Sequence, residues 1–166
     1  MKSINVAAAI IQKDGKILSC QRGYGEFKDG WEFPGGKLEL GETGEQAIVR
    51  EIQEELEVTI GNLDYLCTVE HDYETFHLSM QCYLANILSG EFKEHAHEDM
   101  KWLDTNNLWD VDWLPADVKV VKELEVFPCE LKDLNERREL LLRSFAGERL
   151  YNGVRASVGK VADGSL

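Results

Sequence analysis

Residues 35–58, GGKLELGETGEQAIVREIQEELEV, decide how the rest of the chain is read. The glycines at the start predict a tight loop. Glu42-Thr43-Gly44-Glu45 then opens a helix, with Glu42 or Thr43 as its N-cap. On a 3.6-residue period Ile48, Val49, Ile52 and Leu56 share one face, which is the face to bury. Glu51, Glu54 and Glu55 stand at i, i+3 and i+4 and share a different face, side by side.

Like charges at that spacing repel by roughly 0.2–0.5 kcal/mol per pair. A purely structural helix would place lysines among them. The nearest cation in the helix is Arg50, which this reading directs away from the centre of the patch. A hard divalent cation removes the conflict, because Mg²⁺ takes oxygen ligands and is commonly held by a few carboxylates plus substrate phosphates. Mn²⁺ would serve the same ligands. The bland alternative is a solvated acidic helix face.

The complete spacing favours the metal. Gly36, five residues, Glu42, seven residues, then Arg50-Glu51-Ile52, one residue and Glu54-Glu55 resembles the Nudix box, GX5EX7REUXEEXGU with U aliphatic. Val58 fills the last U, and Glu57 stands where the box has glycine. That departure bears on how the helix ends rather than on chemistry, since glycine there would supply a C-terminal cap. The resemblance covers about residues 3–126 and implies an α/β fold, the Nudix-type α/β/α sandwich with a mixed sheet.

Within the family the chain looks closest to the MutT-like and CTP pyrophosphohydrolase branch. WEFPGGKLELGETGEQAIVREIQEE carries that likeness, together with Gln21-Arg22, His97-Glu98 before Trp102, and Leu114-Pro115-Ala116-Asp117. The resemblance implies a Mg²⁺-dependent enzyme cleaving a nucleoside triphosphate to monophosphate and pyrophosphate. It makes Glu51, Glu54 and Glu55 metal ligands with the Gly35 carbonyl, and Glu98 a further ligand or the base. Glu51 is the first candidate base and Glu98 the second. The resemblance also makes Arg50 and Glu42 an ion pair that fixes the loop against the helix, with Gly36 as the first residue of the box.

Composition bounds the rest. The chain has 166 residues, 43% of them hydrophobic and 30% charged, which fits a globular domain with a real core. No apolar run is long enough to span a membrane. The opening MKSINVAAAIIQKDGK reads as a strand running into an Asp14-Gly15 hairpin rather than as a leader. Cys20, Cys67, Cys82 and Cys129 are scattered, with no CxxC pair, and read as free thiols of a cytoplasmic protein. A net charge of −13 repels nucleic-acid polymers, and it repels a triphosphate too unless metal ions screen the phosphates.

In order, Ile4–Gln12 and Lys16–Arg22 predict a β-hairpin, and Gly23–Gly30 a loop at the site entrance. Gly61-Asn62 breaks the chain after the helix. Leu63–Tyr73 and Thr75–Leu88 predict long strands, and Gly90–Asp99 an acidic, histidine-bearing loop. Met100–Leu103 reads as a short strand, Asn106–Leu114 as a turn packed by Trp109 and Trp113, and Pro115–Val126 as a helix starting at Pro115 or Ala116. Residues 1–128 form the catalytic domain. Residues 129–166 carry a further helical pattern, Leu131–Phe145, and a tail without an assigned role: a tail, an accessory element or a partner-binding piece.

Substrate selection falls to three positions. Arg22 is a phosphate clamp or an ordinary strand-end arginine. Phe33 stacks on a base or fills the core. Asp117 replaces the asparagine of 8-oxoguanine enzymes; as an ionised acceptor it suits an amino group such as cytosine N4, or it offsets a helix dipole. This tilts the expectation to (d)CTP or a modified cytosine nucleotide over 8-oxo-dGTP. A non-catalytic nucleotide-binding domain and a structural interaction protein using the C-terminal helix are the readings from other classes. The loop histidines His95 and His97, with Glu94 and Glu98, and the strand histidines His71 and His77 read as bystanders rather than metal ligands. The sequence leaves monomer and homodimer both open.

Overall fold

The computed structural model describes residues 1–92 and 97–125, with the backbone alone at 97 and 98. Its elements are β1 (Lys2–Lys13), β2 (Lys16–Arg22), β3 (Trp31–Glu32), β4 (Gly35–Lys37), α1 (Gly44–Leu56), β5 (Val58–Asp72), β6 (Phe76–Gly90), β7 (His97–Leu103) and α2 (Pro115–Leu124). The strands make a seven-stranded mixed sheet in the order β3-β2-β1-β6-β5, with β4 added to β1 and β7 to β2. β1 runs parallel to β6, and the other pairs are antiparallel.

β1 explains the layering. Its run VAAAII lacks polar alternation because both faces are covered. Ala7, Ala9 and Ile11 enter a core with Ala47, Ile48, Ile52 and Leu56 of α1. Ala8 and Ile10 enter a second core with Ala116, Val120, Val121 and Leu124 of α2. A sheet between two helices is the α/β/α sandwich expected from the sequence.

The tight turn at Asp14-Gly15 has both residues at positive φ, 51° and 79°, as a two-residue hairpin with matching twist requires. Several local expectations are corrected. Gly35 and Gly36 form a strand, not the loop; the loop is Leu38–Thr43. The glycines are needed because a Cβ at Gly35 would collide with the Ala7 carbonyl oxygen across the β1–β4 pair, and one at Gly36 with the Glu51 carboxylate. Gly61-Asn62 does not break the chain: β5 runs through it with a shift of register, Asn62 at φ 55° absorbing the irregularity. β7 starts at His97 rather than Met100. In α1, Ala47 is fully buried while Val49 is only partly so. Trp113 is in the core, but Trp109 is 46% exposed, its Nε1 donating to Glu125 at 2.6 Å. No helix among the described residues is long and apolar enough to cross a membrane. The expected boundary at 128, the helix Leu131–Phe145, the tail and Cys129 lie outside the described residues. Among the described residues Cys20, Cys67 and Cys82 form no disulfide.

Candidate functional site

β1 changes partners along one edge, pairing with β4 through Val6–Ala8 and with β2 through Gln12 and Lys13. A cavity of about 480 Å³ adjoins this fork. Its lining brings together Arg22, Glu32, Phe33 and Asp117, the Gly35–Lys37 strand, and Glu51 and Glu55 of α1. Tyr24, Phe27, Tyr73 and Phe76 add an aromatic side, continued by aliphatic Ile4, Val6 and Leu78.

α1 delivers its carboxylates because both ends are fixed. Thr43 is the N-cap: its Oγ1 accepts from the Gln46 N–H at 3.1 Å, and Gln46 Oε1 accepts from the Thr43 N–H at 3.0 Å, a complete capping box. At the other end Glu57 takes the left-handed conformation, φ 60°, that the family's glycine would occupy. The helix stops at the same place without the glycine.

At 100° per residue, Glu54 and Glu55 diverge to opposite sides of Glu51. Glu51 faces the cavity with a side chain 15% exposed, and Glu54 turns outward, 58% exposed. Glu55 lines the cavity with Oε1 buried. The side-by-side patch expected from the sequence is therefore a wall, Glu51 and Glu55, with Glu54 on its rim.

Arg50 is the main correction. It does not point away from the patch; its long stem brings the guanidinium over it. Nε and Nη2 donate to the two Glu42 oxygens at 2.7 and 2.9 Å, in a fork-to-fork pair. Nη1 donates to Glu51 Oε2 at 2.9 Å and Glu54 Oε1 at 3.2 Å, and Nη2 also reaches the Lys37 carbonyl at 3.0 Å. Arg50 thus ties the loop, β4 and α1 together. It holds the Glu42 carboxyl down at about 2, with help from the Glu39 N–H. Burial pushes the Glu51 carboxyl above its ordinary range, and the contact with Arg50 opposes that push.

The other side of the cavity is polar. Arg22 donates through Nη2 and Nε to Glu32 at 2.7 and 3.3 Å, so its fork is taken by a carboxylate of the same wall. Asp117 sits in the first turn of α2, 4% exposed, and its Oδ1 accepts from the Phe33 N–H at 3.0 Å. Burial first, and then the Glu32 charge, raise its carboxyl to about 8. That direction favours the neutral acid, which has a donor as well as an acceptor. Its burial corrects the reading of Asp117 as a surface helix charge, and its raised pKa weighs against the ionised acceptor. Phe33 is 3% exposed and packs on Trp113 with centroids 4.7 Å apart, so it is chiefly a core ring. Rings at Tyr24, Phe27, Tyr73 and Phe76 were not singled out by sequence reasoning, nor was Glu32. Glu32 lies inside the quoted WEFPGG, but its contact with Arg22 comes from the pairing of β3 with β2, where Glu32 stands opposite Cys20, and no local signal gives it.

The Glu98 side chain, His95 and the loop they share lie outside the described residues. Among the described residues no three His, Cys, Asp or Glu side chains converge as a closed metal cage. The donors on the wall are nonetheless all oxygens. That fits Mg²⁺, which usually keeps several waters and adds phosphate oxygens to one or two carboxylates.

Comparison with known proteins agrees with this architecture. The NUDIX domain model matches residues 1–124. A CTP pyrophosphohydrolase of Escherichia coli is 34% identical over 125 residues, 74% of this chain and 91% of its own length. An 8-oxo-dGTP diphosphatase of Haemophilus influenzae is 35% identical over 125 residues, 74% of this chain and 92% of its own. The crystal structure of a MutT Nudix hydrolase from Burkholderia pseudomallei superposes with a TM-score of 0.65 at 29% identity, covering 74% of this chain and 98% of that one. With the box helix, its arginine clasp and the domain match in agreement, the chain belongs to the Nudix family, as a hydrolase of its MutT-like branch.

Proposed function

We propose that the protein is a Mg²⁺-dependent nucleoside triphosphate pyrophosphohydrolase, releasing monophosphate and pyrophosphate, with (d)CTP or a modified cytosine nucleotide as substrate. The observation that carries this reading is the polarity of the cavity: a carboxylate wall at Glu51 and Glu55 for the metal-bound polyphosphate, and half-buried Glu32 with buried Asp117 for the base. Glu51, Glu55 and the Gly35 carbonyl would hold the metal, with Glu54 and Glu98 as further candidate ligands. When bound, the metal withdraws charge from the phosphates and lowers the cost of attack by water. Arg50 keeps Glu51 aimed by holding one of its oxygens, and Glu42 keeps Arg50 in place. Glu51 is the candidate base, with Glu98 second.

At the base end, ionised Glu32 accepts and neutral Asp117 donates. A donor beside an acceptor is what this pair complements, and cytosine offers N4–H next to N3. Arg22 acts by orienting Glu32 rather than by gripping phosphate. The oxidised edge of 8-oxoguanine, N7–H beside O6, offers the same array, and relatives named as 8-oxo-dGTP diphosphatases favour that second reading. A Mg²⁺ assay of pyrophosphate release at low substrate, across canonical, methylated and oxidised triphosphates, separates them. The expected result is the highest kcat/KM on a cytosine nucleotide. A ranking led by 8-oxo-dGTP moves the assignment, and no release on any triphosphate ends the enzymatic one.

A further inference from the structure

The hairpin joining β5 to β6 carries an ion cluster that the reaction does not use. His77 Nδ1 lies 2.6 Å from Asp72 Oδ1, and Nε2 lies 2.7 Å from Glu70 Oε1. A neutral imidazole has one N–H and can donate to one of these carboxylates; making both bonds requires the imidazolium. Glu70 and Asp72 come from β5 and His77 from β6, so the ring stitches the two strands together. Ser79 donates to the second Glu70 oxygen at 3.0 Å, and Lys119 of α2 donates to the Glu70 carbonyl at 2.7 Å. From β1 the register partner of His77 is Ser3, and His71 is the other titratable ring nearby.

The cluster lies directly below the hairpin tip, whose Tyr73 and Phe76 rings stack at 5.0 Å and line the cavity. Phe27 closes on Tyr73 at 4.9 Å. Tyr73 Oη accepts the Ala116 N–H at 3.1 Å, one residue before Asp117, so the tip is also tied to the buried end of the site. We propose that His77 is a positioning residue: as imidazolium it pins the β5–β6 hairpin and thereby sets the aromatic wall against which the substrate's base is held. This rests on reading the cavity as the nucleotide site. Neutral His77 leaves a ring lone pair facing a carboxylate, and the pin becomes a repulsion. Its two carboxylate partners, Asp72 first, raise the His77 pKa above its ordinary value. The pin is therefore complete at and below ordinary histidine pKa values, and it is lost as pH rises through the raised one.

The test combines two readouts on the full chain. One is an NMR titration of the His77 ring without nucleotide, with the protection factor of the Tyr73 amide, which donates to the Phe76 carbonyl. The other is calorimetric binding of Mg²⁺ and a non-hydrolysable α,β-imido cytidine triphosphate to wild type, His77→Gln and His77→Arg. Arginine carries two donors and its charge at every pH, so it supplies both the rescue and the control for titration of the nucleotide itself. The wild-type Kd is expected to rise about threefold more than that of His77→Arg between acid and alkaline pH, as suits exposed ion pairs. Tyr73 protection falls over the same interval, and His77→Gln binds weakly throughout. Parallel Kd profiles for wild type and His77→Arg overturn the proposal, as does Tyr73 protection that ignores the His77 titration. Absence of nucleotide binding in every variant refutes the reading of the cavity instead, and removes with it the wall that His77 is said to set.

Discussion

Asp117 shows how far a single side chain can depart from its type. Its pKa is raised to about 8 because folding removes it from water beside Glu32. A folded pKa above the unfolded one means that the native state binds the proton more tightly, so stability falls as pH rises from the ordinary aspartate range towards 8. Asp117→Asn removes that dependence. The variant is expected to gain little at pH 4 and on the order of 2 kcal/mol or more at pH 8, read from urea unfolding at both values. Because asparagine keeps a donor and an acceptor, hydrolysis and cytosine preference should both survive; loss of the preference would mean that Asp117 meets the base as an ionised acceptor and not as a donor. The glutamates of α1 divide at the same scale. Glu51→Gln loses its charge on the cavity wall and is expected to cut kcat by about 10²-fold or more. Glu54→Gln, on the rim, is expected to fall between that and wild type. Equal losses in steady-state rates would put Glu54 on the metal as firmly as Glu51.

Among elements, α1 was the most legible and its surroundings the least. Its buried face came from periodicity and its N-cap from Glu42 or Thr43, of which the structure uses Thr43, local signals that survive without tertiary information. Its end raises a sharper question, since Glu57 takes a left-handed conformation that costs a side-chain-bearing residue about 1 kcal/mol. Glu57→Gly is expected to return about 0.5–1 kcal/mol in thermal or urea unfolding, with kcat/KM unchanged. A loss of stability would mean that the glutamate side chain gives more than its backbone costs. What the sequence hid was non-local. Gly35 and Gly36 looked like a turn because glycine usually marks one; they are strand residues chosen for the closeness of Ala7 and of Glu51. The Arg50–Glu42 pair was expected from the family resemblance, but helix spacing alone could not show Arg50 also reaching Glu51 and Glu54. Gly61-Asn62 looked like a break because nothing local says that β6 carries β5 across the irregularity.

At the scale of the molecule, charge and function pull in opposite directions. The chain has 31 acidic against 18 basic residues, and its substrate is a polyanion. The cations on the cavity, Arg22 and Lys37, do little to offset this, since Arg22 is bound to Glu32. The field therefore opposes approach at long range, while a metal held at the proposed Glu51–Glu55 wall would reverse it at short range. Enzymes steered by attraction lose kcat/KM as salt rises; this one should gain. Raising potassium chloride from about 20 to about 150 mM shortens the screening length from about 20 Å to about 8 Å, which weakens the distant repulsion and leaves contacts within the cavity nearly intact. At fixed free Mg²⁺ the expected change is a rise of about two- to threefold in kcat/KM, with kcat unmoved. Initial rates at low substrate measure it. A fall of similar size would mean that a positive funnel near the cavity outweighs the −13 of the whole chain, and Lys37 would be the first residue to replace.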